Sequence, residues 1–247
     1  MKKMNLISAC LLLSISCMQH VNANTISMHN DTAINNQLTQ KEKAEGWKLL
    51  YDGNSLNGWR TYKNLPGSWK TENGMICTKS ADDGHADLIT DSMFENFELS
   101  VDWKISPEGN SGILYLATED YDQTYLSGPE YQLIDDDGFP EHIEEWQKTG
   151  ASYAIQAPAV KAAHKPGEWN TTKIIVNKSH VEHWLNGKKV VDYTIGSEAW
   201  NKAKNEGKWK EASGYGAAKK GHIAFQSSHS KVETSGVCFR NVKIKLL

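Results

Sequence analysis

Residues 168–195 read EWNTTKIIVNKSHVEHWLNGKKVVDYTI, and this stretch decides the fold. Polar and apolar residues alternate through three short runs, which is the period of half-buried β-strands. Between the last two runs stand Asn186 and Gly187, which tolerate positive φ and therefore favour a tight hairpin turn. The stretch is predicted to form three consecutive antiparallel strands.

The same alternation extends to both sides of this stretch. The run NFELSVDWKI at 96–105 places its apolar side chains on one face, and 221–227 and 237–247 predict further strands. One short helix is predicted at 197–206, with Ser197 placed to cap its N-terminus. No repeat of propeller or solenoid length is found. About a dozen short strands indicate an all-β fold, a two-sheet antiparallel jelly-roll sandwich with one short helix.

The N-terminus predicts export. Two lysines at 2–3 precede an apolar run at 6–15 that is too short to span a bilayer, and a small-residue cleavage site follows at Ala23. Three segments are therefore expected: a signal peptide at 1–23, a flexible lead-in at 24–44 and one folded domain at 45–247. The mature protein is expected to be periplasmic or secreted.

An alternative for the N-terminus is a lipid anchor on Cys17, which would make the protein an outer-membrane lipoprotein. It ranks second because Ser14 stands three residues before Cys17, where a larger aliphatic residue is usual. That anchor is the one membrane association the sequence suggests. Of the four cysteines, Cys77 and Cys238 lie outside the leader. Two buried free thiols are favoured over a disulfide, although an exported protein permits the pair.

Charge excludes one class of partner. The formal net charge is −3, and removal of the leader takes away two lysines and no acids. Nucleic-acid binding requires a basic face that neutralises phosphates, so no nucleic-acid partner is expected.

The stretch GPEYQLIDDDG at 128–138 holds the first candidate site residues. A strand period of two sends Tyr131 and Leu133 to the core and points Glu130 and Gln132 outward together. The alternative is an ordinary solvated strand face. The three aspartates that follow are first of all a turn signal, and they lack the spacing of an EF-hand calcium loop.

Histidines and tryptophans supply further candidates. His229 follows a predicted strand in a polar loop, whereas the other histidines are scattered without metal-ligand spacing. Most of the nine tryptophans are expected in the core. Trp146 and Trp169 lie in loop-rich settings, where an indole is available to stack on a sugar ring.

Several catalytic signatures are absent from the sequence. It contains no nucleophile elbow, no Walker loop and no dinucleotide fingerprint. The carboxylate array of sandwich-fold glucanases is also missing, so a glycosidase mechanism with paired carboxylates has little support.

Seven motifs occur in the order GWKLLYDGNSLNGWR, FELSVDWKISPEGNSGILY, GPEYQLIDDD, KTGASYAI, GEWNTTKIIVNKSHVEHWLNGKKV, GHIAFQSSH and FRNVKIKLL. Together, over Gly46 to Leu247, they resemble the 3-keto-disaccharide hydrolase family. The resemblance implies a concanavalin-like jelly roll that cleaves glycosides oxidised to a ketone at C3 of the sugar. It leaves a divalent cation open and implies no organic cofactor. A non-catalytic carbohydrate-binding module of the same fold is the alternative.

The resemblance also implies a set of site residues. The implied reaction is removal of the C2 proton, which the C3 ketone acidifies, followed by elimination or net hydrolysis of the glycosidic bond. Glu130 or His229 would be the base, and Lys148, Tyr153 or a bound cation would stabilise the oxygen of the resulting enolate. The residues expected to bind substrate are Asn110, Gln132, Asp135, Tyr153 and Gln226. This chain departs from the family pattern in two places, because it lacks an arginine near Leu116 and has serine after His229.

Overall fold

The alternating runs form strands where their period predicts them. The computed structural model describes residues 35–79, 84–228 and 236–247. The three strands predicted at 168–195 are all present, and Asn186 and Gly187 make the hairpin turn with φ of 48° and 78°. The predicted helix spans Glu198–Glu206. Ser197 caps it by accepting a hydrogen bond from the backbone N–H of Trp200.

Two antiparallel sheets make up the fold. The strands of the larger sheet are β1 (Lys48–Leu49), β3 (Lys70–Glu72), β4 (Met75–Lys79), β6 (Phe97–Ile105), β9 (Asn170–Asn177), β10 (His180–Leu185), β11 (Lys188–Thr194) and β13 (Gly236–Leu246). Their order is β11-β10-β9-β6-β13-β4-β3, with β1 also paired to β13. The strands of the smaller sheet are β2 (Trp59–Thr61), β5 (Leu88–Thr90), β7 (Asn110–Ala117), β8 (Glu130–Ile134) and β12 (His222–Phe225). Their order is β2-β5-β12-β7-β8.

Short helical turns complete the described elements. The α-helices are α1 (Gln40–Ala44) and α2 (Glu198–Glu206), and the 3₁₀ turns are Tyr62–Asn64, Thr124–Leu126 and Glu145–Gln147. Among the described residues, no helix is both long and apolar enough to cross a bilayer. The predicted all-β jelly-roll sandwich is confirmed.

The core lies between the two sheets. Phe225 of β12 stacks on Phe239 of β13 with ring centroids 3.9 Å apart, so aromatic side chains join the sheets directly. On β8, Tyr131 and Leu133 are fully buried in this core, as their position in the period predicts. Glu130 and Gln132 consequently point to the opposite face of the smaller sheet.

One expectation was wrong. Cys77 and Cys238 are not free thiols: they are direct cross-strand partners in β4 and β13, and they form a disulfide with Cα atoms 4.2 Å apart. The end of the predicted lead-in carries local structure. Thr39 and Glu42 form a capping box for α1, and Asn36 exchanges hydrogen bonds with Asn241 in β13. Residues 1–34 lie outside the described part of the chain.

Candidate active site

A cavity of about 240 Å³ opens on the outer face of the smaller sheet. Its lining residues are Asn110, Tyr125, Glu130, Gln132, Tyr153, Lys208, Trp209 and Gln226. Five of these residues were among the candidates from the sequence. The strand face with Glu130 and Gln132 is therefore the wall of a pocket, not a solvated surface.

Glu130 is held deep in this cavity, with only 5 % of its surface exposed. Its carboxylate lies against the backbone of β7 at Gly112. A Cβ built on Gly112 would stand 2.3 Å from Glu130 Oε1, so no residue with a side chain fits there without moving the carboxylate. Glycine in the motif NSG therefore makes room for the acid on the neighbouring strand.

Burial raises the pKa of Glu130 to about 8. The charge of Lys208 opposes this rise, and the negative charge of Asp87 adds to it. A carboxylate with a pKa near neutrality exchanges a proton readily and is suited to general acid–base chemistry.

Asp87 is a second buried carboxylate, one that the sequence did not single out. It accepts hydrogen bonds from the Thr124 hydroxyl and, at 2.9 Å, from the Ser227 backbone N–H. Burial raises its pKa to about 6. Thr124 and Ser227 directly adjoin Tyr125 and Gln226 in the sequence. The hydrogen bonds of Asp87 therefore hold two segments of the chain that contribute to the cavity lining.

Amide side chains supply the polar surface of the cavity. Gln226 follows β12, and its backbone N–H donates to Gly112 O at 2.9 Å, while its carbonyl accepts from Ser111 Oγ at 2.8 Å. Gln132 Oε1 is buried and has no hydrogen-bond partner among the described atoms. A buried acceptor of this kind matches a ligand hydroxyl or another donor.

The segment KTGASY explains why Tyr153 reaches the cavity and Lys148 does not. It runs antiparallel along the free edge of β8, where Tyr153 N–H donates to Glu130 O at 3.1 Å and Gly150 N–H to Gln132 O at 2.9 Å. The backbone of Lys148 therefore lies near the C-terminal end of β8. At a rise of about 3.3 Å per residue, this is roughly 13–16 Å along the strand from Glu130. Its ammonium pairs with Glu145 instead, and Lys148 is not among the residues that line the cavity.

Asp135 also lies outside this cavity. It stands an odd number of residues from Glu130, and it lines a separate pocket with Trp103 and Asp136. Its carboxylate accepts from the backbone N–H groups of Glu108 and Gly138, both at 3.0 Å. Asp135 thus holds the turn after β8 and is not among the residues that line the Glu130 cavity.

The other candidates have mixed outcomes. His229 lies outside the described residues. Trp169 carries the Arg240 guanidinium over its ring at 3.8 Å and is absent from the cavity lining. Trp146 is exposed and packs edge-on against Tyr153 with ring centroids 5.3 Å apart.

Sequence reasoning missed three lining residues, which are Tyr125, Lys208 and Trp209. Trp209 donates its indole N–H to Tyr153 O at 3.0 Å and stacks on Tyr215 with centroids 4.5 Å apart. Lys208 Nζ lies 4.3 Å from the centroid of the Tyr153 ring. Both residues come from the irregular segment after α2, where no period indicates which side chains turn inward.

Two groups of possible metal ligands occur among the described residues, and neither lines the cavity. One consists of Glu72 with the two disulfide-bonded cysteines, whose sulfur atoms are already paired. The other is His180, Glu182 and Asp192, where Lys189 already pairs with both carboxylates.

A jelly roll that brings a buried carboxylate, amides and aromatic rings into one cavity is suited to binding a sugar. The sequence profile of the 3-keto-alpha-glucoside-1,2-lyase-like domain matches residues 46–245, so the chain belongs to that family. It is 34% identical over 235 residues to a 3-keto-disaccharide hydrolase of Bacteroides thetaiotaomicron, covering 83% of this chain and 79% of the relative. The predicted family is confirmed, and this chain is a carbohydrate-active enzyme.

Solved structures agree with the fold. A candidate glycosyl hydrolase of Parabacteroides distasonis is 40% identical, with a TM-score of 0.80, over 87% of this chain and all of that one. A second from the same organism is 28% identical, with a TM-score of 0.64, over 81% of this chain and 99% of the other.

Proposed function

We propose that this enzyme cleaves glycosides whose sugar has been oxidised to a ketone at C3, with Glu130 as the base that removes the C2 proton. The observation that carries the proposal is the single carboxylate in the described lining of the cavity, buried and with a pKa near 8. A glycosidase acting on an unmodified sugar uses two carboxylates on opposite sides of the bond. A 3-keto sugar needs only one positioned base, because its carbonyl already acidifies the C2–H bond.

The reaction then proceeds by elimination. Glu130 takes the C2 proton, and the electron pair of the C2–H bond is delocalised onto the C3 oxygen as an enolate. That pair then forms the C1–C2 double bond as the C1–O bond breaks, and the leaving oxygen departs as an alcohol after accepting a proton. Addition of water across the double bond gives net hydrolysis.

Lys208 takes the role that the sequence had assigned to Lys148. Its ammonium lies at the cavity over the rings of Tyr153 and Trp209, with Nζ 4.3 Å and 5.0 Å from their centroids. A cation beside the reacting sugar stabilises the negative charge that develops on an enolate oxygen. The same charge holds the pKa of Glu130 below the value that burial alone would give.

Asn110, Gln132 and Gln226 bind the sugar hydroxyls in this proposal. The unpaired Oε1 of Gln132 gains a donor when a hydroxyl occupies the cavity. Because a buried acceptor without a partner is costly, this hydrogen bond favours a polyhydroxylated ligand over an apolar one.

Release of nitrophenol from 4-nitrophenyl 3-keto-glucoside tests the reaction, with the unoxidised glucoside as the comparison substrate. Wild type is expected to cleave only the keto-glucoside, and Glu130→Gln to lose about 10²–10⁴-fold in kcat/KM. The exposed Glu211→Gln variant is the matched control. Cleavage of the unoxidised substrate would instead identify an ordinary glycosidase, and binding without turnover of either would identify a binding module.

Isotope exchange distinguishes elimination from direct displacement at C1. A substrate carrying deuterium at C2 is expected to react more slowly and to lose the label to water. Retention of all deuterium in the sugar product would contradict proton removal by Glu130.

We also propose that the enzyme is exported, with residues 1–23 as a signal peptide. The Cys77–Cys238 disulfide supports this, since such bonds persist in oxidising compartments. Cell fractionation and N-terminal sequencing are expected to find the mature chain outside the cytoplasm, beginning at Asn24. A chain that begins at a lipid-modified Cys17 would favour the lipoprotein alternative.

A further inference from the structure

A row of aromatic side chains leads from the cavity to the protein surface. Ring centroids lie 6.2 Å apart between Tyr125 and Trp209, 6.3 Å between Trp209 and Tyr153, and 5.3 Å between Tyr153 and Trp146. Trp209 is 3 % exposed, whereas Trp146 at the outer end is 37 % exposed. Tyr153 belongs both to the cavity lining and to the contact with Trp146, so the exposed indole adjoins the site.

The cavity has room for one sugar ring. Its volume of about 240 Å³ is below the roughly 300–1,000 Å³ typical of pockets for drug-sized ligands. Glu130 is buried in it, so the ring that loses the C2 proton must occupy it. A second sugar ring joined at C1 must therefore lie outside, against the rim.

Trp146 is held in a fixed place although its ring faces solvent. It lies in the 3₁₀ turn Glu145–Gln147, which is closed by a capping box between Glu144 and Gln147. Gln147 also donates to the Tyr153 hydroxyl at 3.4 Å, and Ala154 N–H donates to Trp146 O at 3.4 Å. Among the described residues, Trp146 is the one exposed aromatic side chain. An exposed aromatic ring on a backbone turn held by these bonds provides a stacking surface beside a polar cavity.

We propose that Trp146 forms the subsite for the leaving group, where it stacks on the second sugar ring of a 3-keto-disaccharide. The inference rests on the proposed function, because it takes the ring in the cavity to be the oxidised one. Its consequence is a preference for disaccharides over glycosides of small alcohols. The C–H face of a pyranose packs on the indole, while its hydroxyls stay in solvent.

The test compares kcat/KM for a 3-keto-disaccharide with that for the methyl 3-keto-glucoside. In Trp146→Ala this ratio is expected to fall about 3–10-fold relative to wild type, the range of a single aromatic contact. Trp146→Phe is expected to recover part of the preference. Met93→Ala is the control, since Met93 is also 37 % exposed and does not line the cavity. An unchanged ratio in Trp146→Ala would overturn the subsite.

A binding measurement separates failure of the subsite from failure of the proposed reaction. If wild type turns over neither keto-substrate, calorimetry with the unoxidised disaccharide and methyl glucoside replaces the kinetic ratio. A loss of affinity in Trp146→Ala that is confined to the disaccharide supports the subsite even though the reaction proposal has failed. An equal loss for both ligands, or none, overturns it.

Discussion

The buried carboxylate of Glu130 puts stability and chemistry in conflict. Its pKa in the folded chain is about 8, against an ordinary 4.5. Below pH 4.5 both folded and unfolded chains carry the proton. As the pH rises toward 8, the unfolded chain loses the proton while the folded chain keeps it, so the free energy of unfolding falls across this window.

Replacing Glu130 by glutamine is therefore expected to stabilise the protein at alkaline pH. The Tm of Glu130→Gln should equal that of wild type near pH 4.5 and exceed it by a few degrees at pH 9. Thermal unfolding across this pH range measures the difference, with Glu211→Gln as the exposed control. A lower Tm for Glu130→Gln at pH 9 would show that the carboxylate is stabilised by contacts that outweigh its burial.

The catalytic rate is expected to depend on the same ionisation, and it should rise as Glu130 loses its proton. If Glu130 is the base, kcat/KM rises about tenfold per pH unit below pH 8 and levels off above it. A profile that falls above pH 8 would assign Glu130 as the acid instead.

Asp87 gives this profile a second test. Its negative charge raises the pKa of Glu130, so Asp87→Asn is expected to move the rising limb to lower pH. The substitution also weakens the bracing of Thr124 and Ser227 and should lower kcat/KM at every pH. A loss of activity with no shift of the limb would mean that Asp87 acts only through its hydrogen bonds. Steady-state kinetics at varied pH measures both effects.

At the level of the element, β7 and β8 work as a pair. Gly112 stands opposite Gln132 in the ladder, and the Glu130 side chain occupies the space that a Cβ on Gly112 would need. Gly112→Ala should keep the strand pairing, because the added methyl group would clash with the Glu130 side chain, which can move. The substitution should therefore displace the carboxylate. We expect a 10–100-fold loss in kcat/KM, the scale of a misplacement of about 1 Å.

A double-mutant cycle checks the Gly112 prediction. In a Glu130→Ala background the clash is absent, so Gly112→Ala should add little further loss. An equal loss in both backgrounds would show that Gly112→Ala damages the strands themselves.

The same two strands show how far the sequence could predict the site. A period of two places Tyr131 and Leu133 inside and Glu130 and Gln132 outside, because strand geometry fixes it locally. Applied to Asp135, five residues from Glu130, the same rule gives the opposite face, whereas the family motif groups both residues in one site. Lys208 and Trp209 could not be predicted, since their approach to β8 depends on tertiary packing of an irregular segment.

At the scale of the whole molecule, the sequence did not predict the long-range pairing of β4 with β13, because that pairing also depends on tertiary packing. Cys77 and Cys238 are 161 residues apart, and only the sheet order reveals that they are direct cross-strand partners. The larger sheet depends on this contact, because β13 lies between β6 and β4 and also pairs with β1.

The disulfide is therefore expected to stabilise the whole sandwich. Joining residues so far apart restricts the unfolded chain, so a Cys77→Ala, Cys238→Ala double variant should lose about 2–4 kcal/mol in the free energy of unfolding. For a chain of this size the Tm falls by roughly 4–16 °C. Thermal unfolding with and without dithiothreitol measures this. The reductant should lower the Tm of wild type and leave the double variant unchanged, because only wild type has a bond to break. Equal Tm values for reduced and oxidised wild type would mean that the hydrogen bonds between β4 and β13 already hold this edge of the sheet.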